Sequence, residues 1–204
     1  MGTLLFGVLI VLGLIVLVVV IVGGMGIGIY NRLVTLRNDF KNQYAQIDVQ
    51  LKRRHDLIPN LVETANGYMA HERGTLDEVV AARNGAVSAR QQAAVDPTDA
   101  AAVQKVAAAE GVLTQSLGRL FAVAEAYPNL KANETMLQLQ NQLTDTENQV
   151  SLSRQAYNDS VRNYNTQREI FPNSLIAGIF NFAPASLYEI TDPGEREVPK
   201  VSFT

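Results

Sequence analysis

The stretch Leu4–Val22 (LLFGVLIVLGLIVLVVVIV) is apolar throughout and is interrupted only by Gly7 and Gly13. No charged side chain occurs in residues 1–30. About twenty apolar residues in an α-helix span roughly 30 Å, the thickness of the hydrocarbon core of a bilayer. The rest of the chain is too short and too polar to bury a helix that is apolar on every face. Residues 1–30 are therefore predicted to form a transmembrane helix.

A cleaved signal peptide is the alternative interpretation of this stretch. No Lys or Arg precedes the apolar core, the core is long, and the adjoining VGGMGIGIYN offers no convincing cleavage site. The chain has no Cys for a lipid anchor, and Phe6 stands where the myristoylation pattern requires Ser or Thr. The helix itself is the expected anchor, and the lipid bilayer is the first expected partner.

Basic residues come directly after the span and indicate its orientation. Arg32, Arg37 and Lys41 lie on that side, whereas only the amino terminus precedes the span. The positive-inside rule then predicts that the N-terminus lies outside and that everything after residue 30 lies in the cytoplasm.

Gly24 and Gly28 form a small-xxx-small pair near the inner end of the span. Such a pair lets two helices approach closely in lipid, which favours self-association of the span. Glycine is also simply common in membrane helices, and the sequence leaves both interpretations open.

Composition and charge limit the classes of domain that residues 31–204 can form. The chain has 204 residues, a net charge of −3 and no Cys, so disulfides and thiolate chemistry are excluded. Acidic and basic residues are mixed along the chain, which argues against a nucleic-acid partner. The residues after the span suffice for one soluble domain. They are rich in Ala, Leu, Gln and Asn and lack β-type alternation, so an all-α fold is predicted.

Apolar residues adopt a heptad rhythm directly after the span, without an intervening turn signal. Alternating steps of three and four residues are typical of helices that pack at shallow angles in bundles and coiled coils. At about 1.5 Å per residue, a continuous helix from residue 33 to 68 would extend roughly 50 Å from the membrane. The residues of this rhythm are Leu33, Leu36, Phe40, Tyr44, Ile47, Leu51, Ile58, Leu61, Ala65 and Tyr68.

Later helix ends are predicted from prolines and caps. Pro59 lacks an N–H and should kink or break the first helix. Asp96 is the expected N-cap of a helix that has Pro97 at its first position and runs to about Ala126. After a turn at the next Tyr-Pro-Asn, a long helix is expected from about residue 130 to 170. Residues 31–171 thus form the predicted helical bundle.

Charged residues fall on the apolar stripes of these helices. Glu147 and Arg154 are seven residues apart in the last long helix, and Arg54 lies on the stripe of the first. One interpretation is a buried or half-buried network of Arg54, Glu147 and Arg154 that fixes helix register, with Glu147→Ala costing about 3–5 kcal/mol. The other interpretation is a switch or ligand site, and the residues alone do not decide between them.

The tail, residues 172–204, has a different composition. Ser174 can cap a short apolar helix, Leu175–Phe182, and the later prolines prevent long helices. This apolar segment is expected to cover one end of the bundle, with contact to membrane or a partner as the alternative.

Signatures of catalysis are not found. The string around His71 (HERGT) lacks the second His of a zinc-binding helix, and no P-loop, GxGxxG or GxSxG occurs. No Glu has a His three residues later, as a di-iron bundle would require. No enzyme activity, cofactor or metal is therefore expected.

Several strings resemble the LemA family along nearly the whole chain. They are YNRLVTLR at residues 30–37, IDVQLKRRHDLIPNLVE at 47–63, EAYPNLK at 125–131, TEN at 146–148, RQAYN at 154–158 and YN at 164–165. The resemblance implies a single-span bacterial inner-membrane protein with a very short outer N-terminus and an antiparallel bundle similar to a four-helix bundle. It implies no established activity or cofactor.

Two functions are expected. The first is a membrane-anchored, self-assembling scaffold that organises or maintains the bacterial membrane. A magnetosome protein that is needed for making membrane compartments looks like a relative of the family. The second is an adaptor or signal relay that binds another membrane protein through the bundle or tail. TPM-domain proteins and membrane proteases are the partners that the resemblance implies.

Overall fold

One helix, α1, carries the chain from the apolar N-terminal stretch into the bundle without interruption. The computed structural model describes residues 2–189, and these form six helices. The apolar side chains of α1 from Leu9 to Ile27 are exposed, whereas a stripe of apolar side chains from Leu33 onward is buried. The helices are α1 Gly2–Asn66, α2 Arg73–Val95, α3 Ala100–Ala124, α4 Pro128–Lys131, α5 Glu134–Glu169 and α6 Asn173–Ile179.

Four of these helices form an antiparallel bundle. The second half of α1 packs along α5 on one side and against α2 on the other, and α2 packs on α3. Short α4 links α3 to α5, and α6 packs on α1 and α5. The predicted all-α class is confirmed, and no strand occurs among the residues that the structure describes.

The core consists of two apolar clusters that succeed one another along the bundle axis. The cluster nearer to the N-terminal stretch includes Phe40, Tyr44 and Ile47 of α1 together with Tyr157 and Tyr164 of α5. The distal cluster contains Ile58 and Leu61 of α1, Leu76 and Val79 of α2, Leu113, Leu117 and Leu120 of α3, and Met136, Leu139 and Leu143 of α5. The heptad residues named from the sequence fill both clusters, except that Tyr68 is 44% exposed.

Two of the predicted helix ends differ from the structure. The N-cap of α3 is Asp99, whose Oδ1 accepts from the backbone N–H groups of Ala101 and Ala102 at 2.9 and 3.4 Å. Asp96 instead binds Thr98 through that residue's N–H and hydroxyl, which forms a turn before the helix. Either aspartate could cap a helix, but the turn occupies Asp96 and leaves Asp99 as the N-cap of α3. Helix α5 begins at Glu134, after its N-cap Asn133 accepts from the Met136 N–H at 3.0 Å.

Pro59 does not break α1, which continues to Asn66. A proline at position 59 cannot donate to the carbonyl of His55, four residues earlier, and a buried carbonyl without a partner is costly. The structure supplies another donor, because Nε of Arg83 in α2 donates to the His55 carbonyl oxygen at 3.2 Å. A side chain from the neighbouring helix therefore replaces the hydrogen bond that Pro59 removes.

Replacing Arg83 with Met is expected to lower the free energy of unfolding by about 1–3 kcal/mol, because the buried His55 carbonyl loses its donor. In a Pro59→Ala background the residue 59 N–H takes over this carbonyl, so the same Arg83→Met change should cost clearly less. Urea unfolding of the four proteins, monitored by circular dichroism, measures the coupling between the two sites. An equal cost in both backgrounds would contradict this role for Arg83.

After α5 the chain folds back on the bundle. Helix α6 begins earlier than expected, so Ser174 lies inside it rather than at its cap. It ends at Ile179, and Asn181, two residues later, has a φ of 53°, a left-handed conformation that Asn tolerates. The Phe182 N–H then donates to the Ala177 carbonyl at 2.9 Å, which turns the chain towards α5. The predicted effect of Pro193, Gly194 and Pro199 on the tail concerns positions outside the described residues.

Candidate functional site

A layer of buried charge separates the two apolar clusters. Arg54 and His55 of α1 and Glu110 of α3 are 3%, 1% and 3% exposed. Nη1 of Arg54 lies 3.3 Å from Oε2 of Glu110, and Nε2 of His55 lies 2.6 Å from Oε1. An ionised carboxylate only accepts hydrogen bonds, so both contacts are donated to Glu110. We call Arg54, His55 and Glu110 the buried charge layer.

Arg54 also reaches the edge of the bundle. Its Nη2 donates to the Thr114 hydroxyl at 2.9 Å and to Oε2 of Glu147 at 3.5 Å. The Glu147 side chain is 55% exposed, so of the two predicted possibilities this carboxylate is half-buried rather than buried. Among the described residues, no hydrogen bond or ion pair joins Arg154 to Glu147 or to Arg54. The structure thus brings Arg54 and Glu147 together, but the buried partner of Arg54 is Glu110.

The spacing of residues along α3 could have identified Glu110 as a core residue, but the charged residues Glu147 and Arg154 of α5 were singled out instead. Val103, Glu110, Leu117 and Ala124 are spaced by sevens along α3, and all four are buried. A carboxylate in the middle of such a series lies on the core face of its helix and needs a buried cation. Arg54 and His55 supply the donors, because they are adjacent residues of α1 that both face inward.

Sliding α1 or α3 along the bundle by one turn would separate Arg54 from Glu110. Each charge would then lie unpaired against apolar side chains, which costs several kcal/mol. We therefore expect the buried charge layer to oppose such a slip of register, the role that the sequence suggested for Arg54, Glu147 and Arg154.

Three tyrosines near this layer have raised pKa values because they are buried in the apolar cluster nearer to the N-terminal stretch. Burial raises the pKa of Tyr157 to about 12. The pKa values of Tyr44 and Tyr188 are also raised, mainly by burial, and nearby Asp48 adds to the rise at Tyr44. Each of these phenols is therefore held in its neutral form in the fold.

The chain after α6 runs antiparallel along α5 and is held there by paired side chains. Asn158 accepts from the Tyr188 N–H at 2.8 Å and donates to the Tyr188 carbonyl at 3.2 Å. Asn165 does the same for Ala185, at 3.0 and 2.8 Å. The hydroxyl of Tyr157 donates to the Ser186 carbonyl at 2.9 Å. We call residues 182–188 the clamped strap.

The spacing of the two asparagines matches the spacing of the backbone groups that they bind. Seven residues of an α-helix rise about 10.5 Å, and three residues of extended chain cover about 10 Å. Asn158 and Asn165 can therefore bind Tyr188 and Ala185 without strain in either segment. Because Phe182, Ala185 and Tyr188 are also buried, the clamped strap contributes to the bundle core.

The N-terminal half of α1 offers an open surface for lipid or another helix. Gly24 and Gly28 meet no other side chain within 4 Å of the position a Cβ would take. Gly26 lies on the opposite face, about 200° away, and its Cβ position is 3.6 Å from Cδ1 of Ile176 in α6. The small-residue face predicted for self-association is therefore not covered by α6.

The bundle has an open groove among the described residues. A groove of about 490 Å³ lies between α2 and α3, lined mainly by small residues that include Ala81, Gly85 and Ala109. Among the described residues, no group of three or more His, Cys, Asp or Glu side chains could hold a metal ion.

The fold and these surfaces define a class of protein: a helical bundle carried on an apolar N-terminal helix. Over its most apolar 18 residues the mean hydropathy of α1 is 3.0 and none of that window is buried. By length and composition it is the one helix in the described part of the chain that could cross a membrane. These properties fit a membrane-anchored protein.

The family model for the LemA family matches residues 43–203, so the chain belongs to this family. The resemblance seen in the sequence strings is thereby confirmed. The chain is also similar to magnetosome proteins MamQ 1 and MamQ 2 of Paramagnetospirillum magneticum and to magnetosome protein MamQ of Magnetospirillum gryphiswaldense. Each is 23% identical over 184 residues, which cover 83% of this chain and 68% of the relative.

Proposed function

We propose that this chain is a membrane-anchored scaffold that self-assembles and thereby organises or maintains the bacterial inner membrane. The observation that carries the proposal is the unbroken helix α1, which passes from an exposed apolar segment into the bundle core with no intervening turn. Contacts between spans in the bilayer would therefore orient the attached bundles as well. The bundle is assigned to the cytoplasm, because Arg32, Arg37 and Lys41 come directly after the span.

Two exposed surfaces support self-assembly. Gly24 and Gly28 present an open face on which two α1 helices can approach closely. The groove between α2 and α3 has room for an apolar side chain from a neighbour, and the Glu78–Arg119 ion pair at 3.1 Å lines it with charge. The similarity to magnetosome protein MamQ supports a role in membrane organisation. Enzyme activity, a cofactor and nucleic-acid binding are not part of the proposal.

An adaptor that binds another membrane protein, such as a protease or a TPM-domain protein, is the alternative function. The same groove favours it, because a groove lined by small residues can receive a helix from any partner of matching shape. The clamped strap is not available as a contact surface for such a partner, because it is part of the core. A deletion that tests the tail has to spare the clamped strap, because removing it would remove core side chains.

Light scattering of the full-length protein in mild detergent tests the scaffold. We expect an assembly of several chains, and we expect Gly24→Ile with Gly28→Ile to reduce it to small species, because two branched side chains keep the spans apart. Gly7→Ile with Gly13→Ile is the matched control, since these glycines are equally open and lack the four-residue spacing. This control should leave the assembly unchanged.

A monomer or dimer of the unaltered protein at micromolar concentration would count against the scaffold and favour the adaptor. A membrane protein that then co-purifies with the chain, and is lost on Ala81→Leu with Gly85→Leu in the groove, would establish the alternative.

A further inference from the structure

Large apolar side chains are exposed together where α5 ends and α6 begins. Ile170 is 44% exposed, Phe171 80%, Leu175 58%, Ile179 70% and Phe180 55%. No charged residue occurs between Glu169 and Glu189. Monomeric soluble proteins rarely present so many adjacent apolar side chains to water, so this patch marks a contact surface. We call these five residues the α6 patch.

Helix α6 is held against the membrane end of α1. Cδ1 of Ile176 lies 3.6 Å from the Cβ position of Gly26. The ring of Tyr30 packs edge-on against Phe180 and Phe182, with centroid distances of 4.8 and 5.6 Å. The short helix thus lies beside residues 26–30, shortly before Arg32, the first charged residue of the chain.

The length of the span places this level at the bilayer boundary. The apolar stretch begins at Leu4, and from there to Gly26 α1 rises about 33 Å, slightly more than the roughly 30 Å of a hydrocarbon core. Residues 26–30 therefore lie between the acyl chains and the headgroups on the bundle side. Tyr30 is typical of this level, where aromatic side chains with a polar end are enriched.

We propose that the α6 patch inserts into the boundary between headgroups and acyl chains, as a second membrane contact beside the transmembrane helix. The partner is the apolar part of the lipid, because the patch offers side chains for burial and no charge for a headgroup. Arg168 at the end of α5 is held by the protein itself, since its Nε donates to the Phe182 carbonyl at 2.7 Å. The inference rests on the anchoring of α1 and is independent of self-assembly.

A fluorescent label at single cysteines tests this contact in the full-length protein, which has no Cys of its own. Leu175→Cys and Ile179→Cys place the label in the α6 patch. Leu152→Cys in α5 is the matched control, since Leu152 is 59% exposed and Leu175 58%. Each variant is labelled with the environment-sensitive dye NBD and reconstituted at low density in phosphatidylcholine vesicles.

We expect blue-shifted emission at positions 175 and 179, with quenching by lipids that carry a nitroxide near the top of the acyl chain at least about twofold stronger than at position 152. Quenching by iodide in the water should show the opposite order. Replacing half of the phosphatidylcholine by phosphatidylglycerol should change neither result, because the contact is apolar. The Gly24→Ile, Gly28→Ile background should give the same values, which separates this inference from the scaffold.

Equal lipid quenching at positions 152, 175 and 179 would overturn the inference. A blue shift at 175 and 179 without lipid quenching would also overturn it, since a protein surface would then cover the patch. Lipid quenching that requires phosphatidylglycerol and disappears in salt would assign the contact to basic side chains instead.

Discussion

Replacing Glu110 with Ala should lower the free energy of unfolding by about 3–5 kcal/mol, among the largest effects of any single substitution in this chain. The change removes the acceptor of both Arg54 and His55, which are only 3% and 1% exposed. The guanidinium of Arg54 would retain only Thr114 and the more distant Glu147.

Urea unfolding of the full-length protein in detergent, monitored by helical circular dichroism, measures this loss. Glu147→Ala is the matched control, because Glu147 contacts the same guanidinium at 3.5 Å from a half-exposed position. A contact of that kind is worth about 0–1 kcal/mol. Similar losses for the two variants would show that Glu110 is not the buried partner of Arg54.

Replacing Arg54, His55 and Glu110 together by Leu should recover most of the free energy lost in Glu110→Ala, because no unpaired charge remains in the core. The register of the helices should then be less well defined. Broader amide resonances or faster hydrogen exchange than in the unaltered protein would indicate this loss of a defined register.

Raising the pH above 10 should unfold the bundle, and the buried tyrosines supply the reason. The tyrosine pKa is 10.0 in the unfolded chain and about 12 for Tyr157 in the fold. The stability from keeping this phenol neutral is complete below pH 10 and is lost as pH rises towards 12. The loss is about 1.4 kcal/mol per pH unit for Tyr157. Tyr44 and Tyr188 add to it, because burial raises their pKa values too.

Parallel titrations of tyrosinate absorbance and of circular dichroism check this expectation. Part of the absorbance change should coincide with the loss of helix at a pH well above 10. Tyr157→Phe removes one of the titrating groups and should reduce the slope of stability against pH between 10 and 12. If all seven tyrosines ionised with a single midpoint near 10 while the helices stayed intact, burial would not control their titration.

The sequence predicted the architecture well, because it rests on local patterns. The apolar N-terminal stretch predicted the span, and the heptads of α1 specify which face of that helix is buried in the bundle, where the structure buries it. Details that depend on contacts between distant residues were not predictable. Pro59 has the local properties of a helix breaker, and only the packing of α2 places Arg83 beside the carbonyl that it leaves free.

The sequence predicted a charged network within the bundle, but it identified only some of the residues that form it. Arg54 does contact Glu147, as predicted. The sequence does not show which helix supplies a buried carboxylate at that level of the bundle, so the exposure of Glu147 was not predictable. Similarly, the Tyr-Asn pairs at 157–158 and 164–165 were recognised as family strings. Their function in binding the clamped strap requires knowledge of where the chain returns after α6.

Because α1 is unbroken, tilting of its apolar segment in the bilayer also tilts the bundle that is attached to it. Transmembrane helices tilt by about 20° on average, and they tilt further when the bilayer is thinner than the apolar stretch. The part of α1 beyond Tyr30 is about 54 Å long, so such a tilt moves the far end of the bundle sideways by roughly 18 Å. Because α1 is one unbroken helix from Gly2 to Asn66, a change of its tilt in the membrane is passed on to the far end of the bundle.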